Sequence, residues 1–461
     1  MSVPNSLSRR DAAVLMHPQT DWRAHAEQGA LVIARGQGVH VFDENDKEYI
    51  EGMAGLWCTS LGFSEPRLVE AATRQMSILP YDHVYTHQTH GPAVELSETL
   101  LAMAPPQMTK VFFACSGSEA NDTIVRMVWY YNNALDRPRK KKIIARRRGF
   151  HGSTCVSGSL TGLPNLQADF DLPLPGFLHT TAPHHYREGR PGESEEDFAT
   201  RLAEELEQLI LAEGGAETVA AFIAEPVMGA GGVVVPPRTY FQKIKPVLDK
   251  YDMLLIADEV ICGFGRTGNM WGSETFGMEP DFMTVAKALS SAYMPISGVM
   301  TTDRVFQVMA DNSRKRGSFG HGFTYSAHPV SAAVALETLR IYRERDIIGH
   351  VRDVAPGFQA ALRAFADHPL VGEARGVGLV GAIEMVADKA SRRAFDPAQK
   401  VGPRIAKAAR EHGLVTRAMG DSMGFSPPLV ITATEITEMF ARFGRALDQV
   451  AAEMPASRQA A

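Results

Sequence analysis

Met253-Leu-Leu-Ile-Ala-Asp258 and, 24 residues on, Phe282-Met-Thr-Val-Ala-Lys287 decide the fold reading of this chain. Each is a short, largely apolar run that ends in a single charge. A third run, Ala220-Ala-Phe-Ile-Ala224, ends the same way at Glu225, and a fourth, Val111-Phe-Phe-Ala114, runs into small residues. Runs without alternation predict strands covered on both faces. The three charges lie 33 and 29 residues apart, about one strand–helix–strand unit each, so the predicted sheet is parallel. Ligands of such sheets sit outside the carboxyl ends of the strands. Glu225, Asp258 and Lys287 are therefore expected to converge on one site.

Lys287 sits between Val285, Ala286, Ala288 and Leu289. An ammonium in apolar surroundings is costly to keep charged, so its pKa falls and the amine becomes a nucleophile suited to a Schiff base with an aldehyde. After the Val111 run comes Cys115-Ser-Gly-Ser-Glu119, where Ser116 and Glu119 have capping-box spacing. Apolar residues then recur at Ala120, Ile124, Met127, Val128 and Tyr131, a helical period. The free N–H groups of Gly117 and Ser118 at that helix start suit a phosphate. An aldehyde-capturing lysine, a phosphate cradle and a strand-end acid together describe pyridoxal 5′-phosphate, whose ring nitrogen an Asp keeps protonated.

At this point the chain resembles the class III, or ω-amino-acid, aminotransferases of pyridoxal-phosphate fold type I. The resemblance is carried by Ser116-Gly-Ser-Glu-Ala-Asn121, Phe150-His-Gly152, Glu225-Pro-Val-Met-Gly-Ala-Gly-Gly232, Ile256-Ala-Asp-Glu-Val260, Gly263-Phe-Gly-Arg-Thr-Gly268, Ala286-Lys-Ala-Leu289 and Gly322-Phe-Thr-Tyr325. It runs from about Asp43 to Thr434. It implies an α/β fold: a large domain (59–328) with a mostly parallel seven-stranded sheet, and a smaller α+β domain built from residues 1–58 and 329–461. It implies that Lys287 forms the internal aldimine and that Asp258 pairs with the ring nitrogen. Gly117 and Ser118 would hold the phosphate, helped by Thr324 from the other subunit of a homodimer. Phe150 and Val260 would flank the ring, with His151 and Glu225 beside it. Gly55-Leu-Trp-Cys58 and Gly413-Leu-Val-Thr-Arg417 are similar to the amine:pyruvate branch. There Trp57, Tyr85, Phe150 and Ala230 would line the substrate pocket. Arg417 would bind the acceptor's carboxylate bidentately, with Glu225 masking it when the substrate has none. Phe150 stands where the branch often has Tyr, and Ala288 where it has Gly. The implied reaction passes an amino group from a primary or ω-amine to a keto acid, pyruvate above all. An aminomutase, a decarboxylase or a non-catalytic binding protein of the same fold are the alternatives. The amine itself, the stereochemistry and the pairing of dimers into a tetramer stay open.

The rest of the chain bounds this reading. The 461 residues imply two or three domains. Apolar residues make up 45% and charged ones 22%, which excludes disorder. A net charge of −6 argues against nucleic acid or a membrane surface as the main partner. No apolar run approaches a membrane span, and Met1–Pro18 lacks the apolar core of a secretory signal. The four cysteines form no CxxC pair, so no disulfide framework or zinc ribbon is expected and a reducing cytoplasm is the expected setting. Gly263–Gly268 fits the dinucleotide fingerprint GxGxxG but is not followed by a convincing helix. His83, His87 and His90 lack a helical period and are expected in a loop rather than around a metal. Eight of the twelve residues Arg137–Arg148 are basic; they are expected to flank a strand at Ile143–Ala145 as a solvated patch. Leu172–Glu196 reads as a surface excursion, and Met454–Ala461 as a frayed tail.

Overall fold

The computed structural model describes residues 6–454. At its centre is a seven-stranded sheet. Its strands, numbered along the chain, are β1 (Met108–Ala114), β2 (Lys142–Arg146), β3 (Phe177–Thr180), β4 (Val219–Ala224), β5 (Leu254–Asp258), β6 (Phe282–Val285) and β7 (Ser297–Thr302). Their order across the sheet is β1-β7-β6-β5-β4-β2-β3. Strand β7 runs antiparallel to both its neighbours, and the remaining pairs are parallel. This is the fold of the class III aminotransferases, pyridoxal-phosphate fold type I.

The register explains the convergence of the charges. Ala224 lies opposite Ala257, and Asp258 opposite Thr284. Glu225, Asp258 and Lys287 therefore leave three adjacent parallel strands at one edge. Every residue of β4, β5, β6 and β7 is buried, as both-face coverage by helices requires. Strand β1 departs from that expectation. It is an edge strand, and Val111 and Phe112 are only half-buried. Phe112 packs instead on Phe319 and His321.

Two four-stranded sheets stand apart from the large one. One joins Ile33–Gln37, His40–Asp43 and Glu48–Glu51 to Leu414–Val415, the last pair parallel, so the N-terminal segment is tied to the C-terminal part. The other is Val371–Val377, Val380–Met385, Ser422–Phe425 and Arg417–Met419. The helix Ala433–Ala452 packs beneath them on Phe440, Phe443 and Leu447. Its capping box, Thr432 with Glu435, closes both N-terminal bonds.

Three readings from the sequence need correction. Leu172–Glu196 is more than an excursion: Phe177–Thr180 within it is the edge strand β3, with Phe177 buried. Four residues bounded by Pro and Gly are too short for a pattern to show. The basic run is not uniformly solvated. Arg146, the last residue of β2, is fully buried. It donates to the Glu225 carbonyl and lies over the Tyr240 and Phe241 rings. Lys140 is buried too and donates to the Tyr251 carbonyl. Met454 is buried rather than frayed; the remainder of that tail lies outside the described residues. Among the described residues no helix is long and apolar enough to cross a membrane.

Candidate active site

The inner end of the site is a helix start. Ser116 caps the helix Gly117–Ala134 by accepting from the Glu119 N–H at 3.2 Å. Glu119 reaches back to the N–H of Cys115, one residue before the cap. The first i−4 bond belongs to Ala120, so the N–H groups of Gly117 and Ser118 are left for an outside acceptor. Gly117 lets Val260 approach closely: a Cβ there would come within 3.2 Å of the Val260 methyl groups. The Phe150–Ser153 loop folds over this end, with the Ser153 N–H on Ser118 Oγ. Gly152 takes φ of 142°, and a side chain on it would collide with Ser157 and Ser118.

Asp258 is buried at the end of β5. Its Oδ2 accepts from Asn121 Nδ2 and His151 Nδ1, each at 2.8 Å. Its Oδ1 accepts only from the Val260 N–H at 3.1 Å, which leaves that oxygen free for one more donor. Asn121 is itself fixed, donating to the His151 carbonyl and accepting from Thr284 of β6. His151 Nε2 is buried without a partner. Glu225 is buried and accepts from the N–H groups of Phe150 at 3.0 Å and Gly229 at 2.9 Å. Burial pushes its carboxyl above the usual range.

Lys287 follows β6 in a left-handed conformation, φ of 47°. That conformation in a residue other than glycine costs about 1–2 kcal/mol, and it survives only where the surroundings over-determine it. Burial lowers its ammonium pKa below the ordinary lysine range, as its apolar neighbours in the sequence imply. The side chain opens into a cavity of about 340 Å³. Trp57, Phe150, Ala230 and Arg417 line the same cavity.

Tyr85 and Thr324 are exposed outside this cavity; the resemblance assigns Thr324 to the site of the other subunit of a dimer. Tyr85 packs against Gly322, and the Thr324 carbonyl accepts from Tyr81 Oη at 2.9 Å. Tyr85 lies in the irregular stretch after Pro80, where no strand or helix directs it inward. In this structure Arg417 donates to Gln19 Oε1 at 3.3 Å and not to Glu225, whose two oxygens each accept a backbone N–H. Sequence reading missed Asn121 as the second donor to Asp258. It also missed Arg148 on the cavity wall, which the basic run hid. The decoys resolve plainly. No helix follows Gly268 directly; Arg266 in that loop donates to the Leu379 and Pro427 carbonyls. His90 caps the helix Gly91–Met103, and His83 accepts from the Tyr85 N–H.

The donor set fits one group. An unsatisfied helix start suits a phosphate, a half-free Asp258 carboxylate suits a ring N–H, and a desolvated lysine suits an aldehyde. Together on a type I sheet they define a pyridoxal-phosphate site. The chain belongs to the class-III aminotransferase family, whose pattern spans residues 23–447, and its cofactor is pyridoxal 5′-phosphate. It is 53% identical over 418 residues to γ-aminobutyrate transaminase 1, mitochondrial, of Solanum lycopersicum, covering 90% of this chain and 81% of that one. A probable γ-aminobutyrate transaminase 3 of rice is 52% identical over 432 residues, 93% of this chain and 84% of that one. The ω-transaminase of Pseudomonas jessenii, solved in complex with PMP, superposes with a TM-score of 0.96 at 54% identity, over 97% of this chain and 99% of that one.

Proposed function

We propose that this aminotransferase takes an amino group from a primary or ω-amine and delivers it to pyruvate, in two half-reactions at one cavity. The observation that carries the reading is Arg417. It shares the cavity with Lys287, and its guanidinium has no acidic partner among the described residues. A loosely held guanidinium can meet a carboxylate in one half-reaction and turn aside in the other. Relatives named γ-aminobutyrate and ω-transaminases are consistent with a donor whose amine is terminal.

Bound pyridoxal phosphate supplies the electron sink for the carbon that loses its proton. The N–H groups of Gly117 and Ser118 would hold the phosphate, and Asp258 Oδ1 would accept the ring N–H. Phe150 and Val260 would confine the ring, with His151 and Glu225 near its edge. Lys287 Nζ would carry the proton between substrate and cofactor, and burial, which lowers its pKa, favours the neutral amine that such a base needs. Trp57 and Ala230 shape the substrate end. Tyr81, Tyr85 and Tyr325 stand exposed beside Thr324, which supports a homodimer in which a second copy covers them.

The test is a visible spectrum of the purified holoenzyme. Excess amine is expected to bleach the absorbance of the lysine-linked cofactor, and pyruvate to restore it. Bleaching without recovery on pyruvate would remove pyruvate from the proposal. Arg417→Ala is expected to raise the apparent KM for pyruvate by roughly 10–100-fold, the scale of a lost charge-assisted hydrogen bond. The amine half-reaction, followed by the bleaching rate, should change by less than about threefold. An unchanged KM for pyruvate excludes Arg417 from the acceptor site.

A further inference from the structure

Near the start of the chain two short helices, Leu7–Val14 and Trp22–Gln28, form a hairpin in which no residue is buried. Val14, Leu15, Met16 and Trp22 are exposed. Within this chain, apolar packing does not hold the hairpin, and helices of eight and seven residues are marginal by themselves in water. Yet the turn between them reaches the active site. Gln19, with a left-handed φ of 50°, lines the cavity and accepts from Arg417 at 3.3 Å. Something other than a core must set where this turn lies.

Asp11, His17 and His25 stand at its base. His17 Nε2 and His25 Nε2 each lie 2.8 Å from the same oxygen, Asp11 Oδ2, and the two imidazole rings are 4.1 Å apart. A carboxylate only accepts, so both rings aim Nε2 at one point. Among the described residues neither Nδ1 nor Asp11 Oδ1 has a partner, and no Lys or Arg meets this carboxylate. The contrast with the other close group of ligand side chains, His184, Glu373 and Glu384, is direct. That group already holds a cation: Arg375 Nη1 is 2.6 Å from both carboxylates. The hairpin group has the same convergence and no resident charge.

The geometry is close to what a metal needs. Ligand atoms at about 2.0–2.1 Å around a tetrahedral zinc lie roughly 3.3 Å from one another. The two 2.8 Å contacts would open by about half an ångström, and the three ligand atoms already lie within 4.8 Å of one another. Asp11 Oδ1 or a water is left to complete the sphere. Two imidazoles with one carboxylate select a borderline cation. Magnesium and calcium prefer all-oxygen sets, and copper(I) prefers sulfur. We propose that Asp11, His17 and His25 bind a divalent cation of the zinc kind, and that the bound ion pins the turn carrying Gln19 beside Arg417. A metal is one of the few staples open to a segment with so little apolar burial. The inference is independent of which acceptor Arg417 binds.

The test is calorimetric titration of zinc chloride into untagged, chelator-treated holoenzyme. One ion per chain is expected to bind. Asp11→Asn, His17→Ala and His25→Ala should each weaken binding by at least about tenfold, since even second-shell losses cost that much. Magnesium chloride should give no binding. Pinning is read separately by limited trypsin digestion at Arg23, which is exposed between the two histidines. Zinc is expected to slow that cut by about threefold or more in the parent, because cleavage follows local opening, and to leave the three variants unchanged. Melting temperatures show whether each variant is folded. No zinc binding by the parent overturns the proposal, and so does zinc binding that survives in all three variants, which would place the ion elsewhere. Magnesium bound as tightly as zinc would exclude the imidazoles as ligands. Zinc bound at this site without protection of Arg23 would overturn the pinning.

Discussion

Replacing Lys287 by alanine is expected to remove the visible absorbance of the lysine-linked cofactor and to lower kcat by roughly 10⁴-fold, the upper range of general acid–base catalysis. The loss should be this large because one amine serves two purposes. It anchors the aldehyde, and it moves the proton. No neighbour can replace it: both Glu225 oxygens are held by backbone N–H groups, Asp258 Oδ2 by Asn121 and His151, and the open Asp258 Oδ1 is the one placed for the ring N–H. The His151 ring is turned toward Asp258. The lowered pKa adds a pH prediction with a definite sign. A lysine is nucleophilic only when neutral, and it is neutral above its pKa. Capture of free pyridoxal phosphate by the apoprotein should therefore rise with pH and reach half its maximum below the ordinary lysine value. Stopped-flow absorbance across a pH series measures this midpoint. Removing the φ of 47° at position 287 is not the purpose of the substitution, since alanine keeps the same backbone demand. The variant should melt close to the parent apoprotein. A Lys287→Ala protein that kept kcat within tenfold would take the lysine out of the reaction.

Why Lys287 could be singled out from sequence, and Arg148 could not, is a matter of physical contrast. A lone charge at the end of an apolar strand stands against its background, and strand register then fixes where it goes. Asp258 and Thr284 face each other across β5 and β6, so the position of Lys287 three residues later follows from the pattern alone. Arg148 is one of eight basic residues in twelve. What sets it apart is a left-handed backbone and a histidine 36 residues away, neither of which periodicity encodes. Arg146, two positions earlier, was hidden by the same run, yet it is fully buried. Tyr85 is a different case: its assignment came by similarity alone, since its own stretch carries no periodic signal. Edge strand β3 was missed because four residues between turn formers show no period. The central sheet was legible because coverage on both faces writes itself as unbroken apolar runs.

Asp258→Asn is expected to lower kcat by roughly 10²–10³-fold, the usual cost of losing one preorganised electrostatic partner. The bound cofactor should also lose the absorbance signature of a protonated ring nitrogen. The hydrogen bonds show why an amide is a poor replacement. Oδ2 receives two donors, Asn121 Nδ2 and His151 Nδ1, so an asparagine must place its carbonyl oxygen there. Its NH₂ then falls at the position of Oδ1, where it meets the Val260 N–H and the ring N–H of the cofactor. Donors would face donors, and the negative charge that favours a protonated ring would be gone. The opposite orientation sets the NH₂ against Asn121 and His151 instead, which strands two buried donors at about 1–3 kcal/mol each. Asn121→Ala separates charge from geometry. It keeps the carboxylate and removes one of its two Oδ2 donors together with the link to Thr284. Its kcat is expected to fall by about tenfold, with the ring still protonated. If Asp258→Asn retained kcat within threefold while fully loaded with cofactor, the strand-end acid would be a structural residue. The electron demand of the reaction would then have to be met without it.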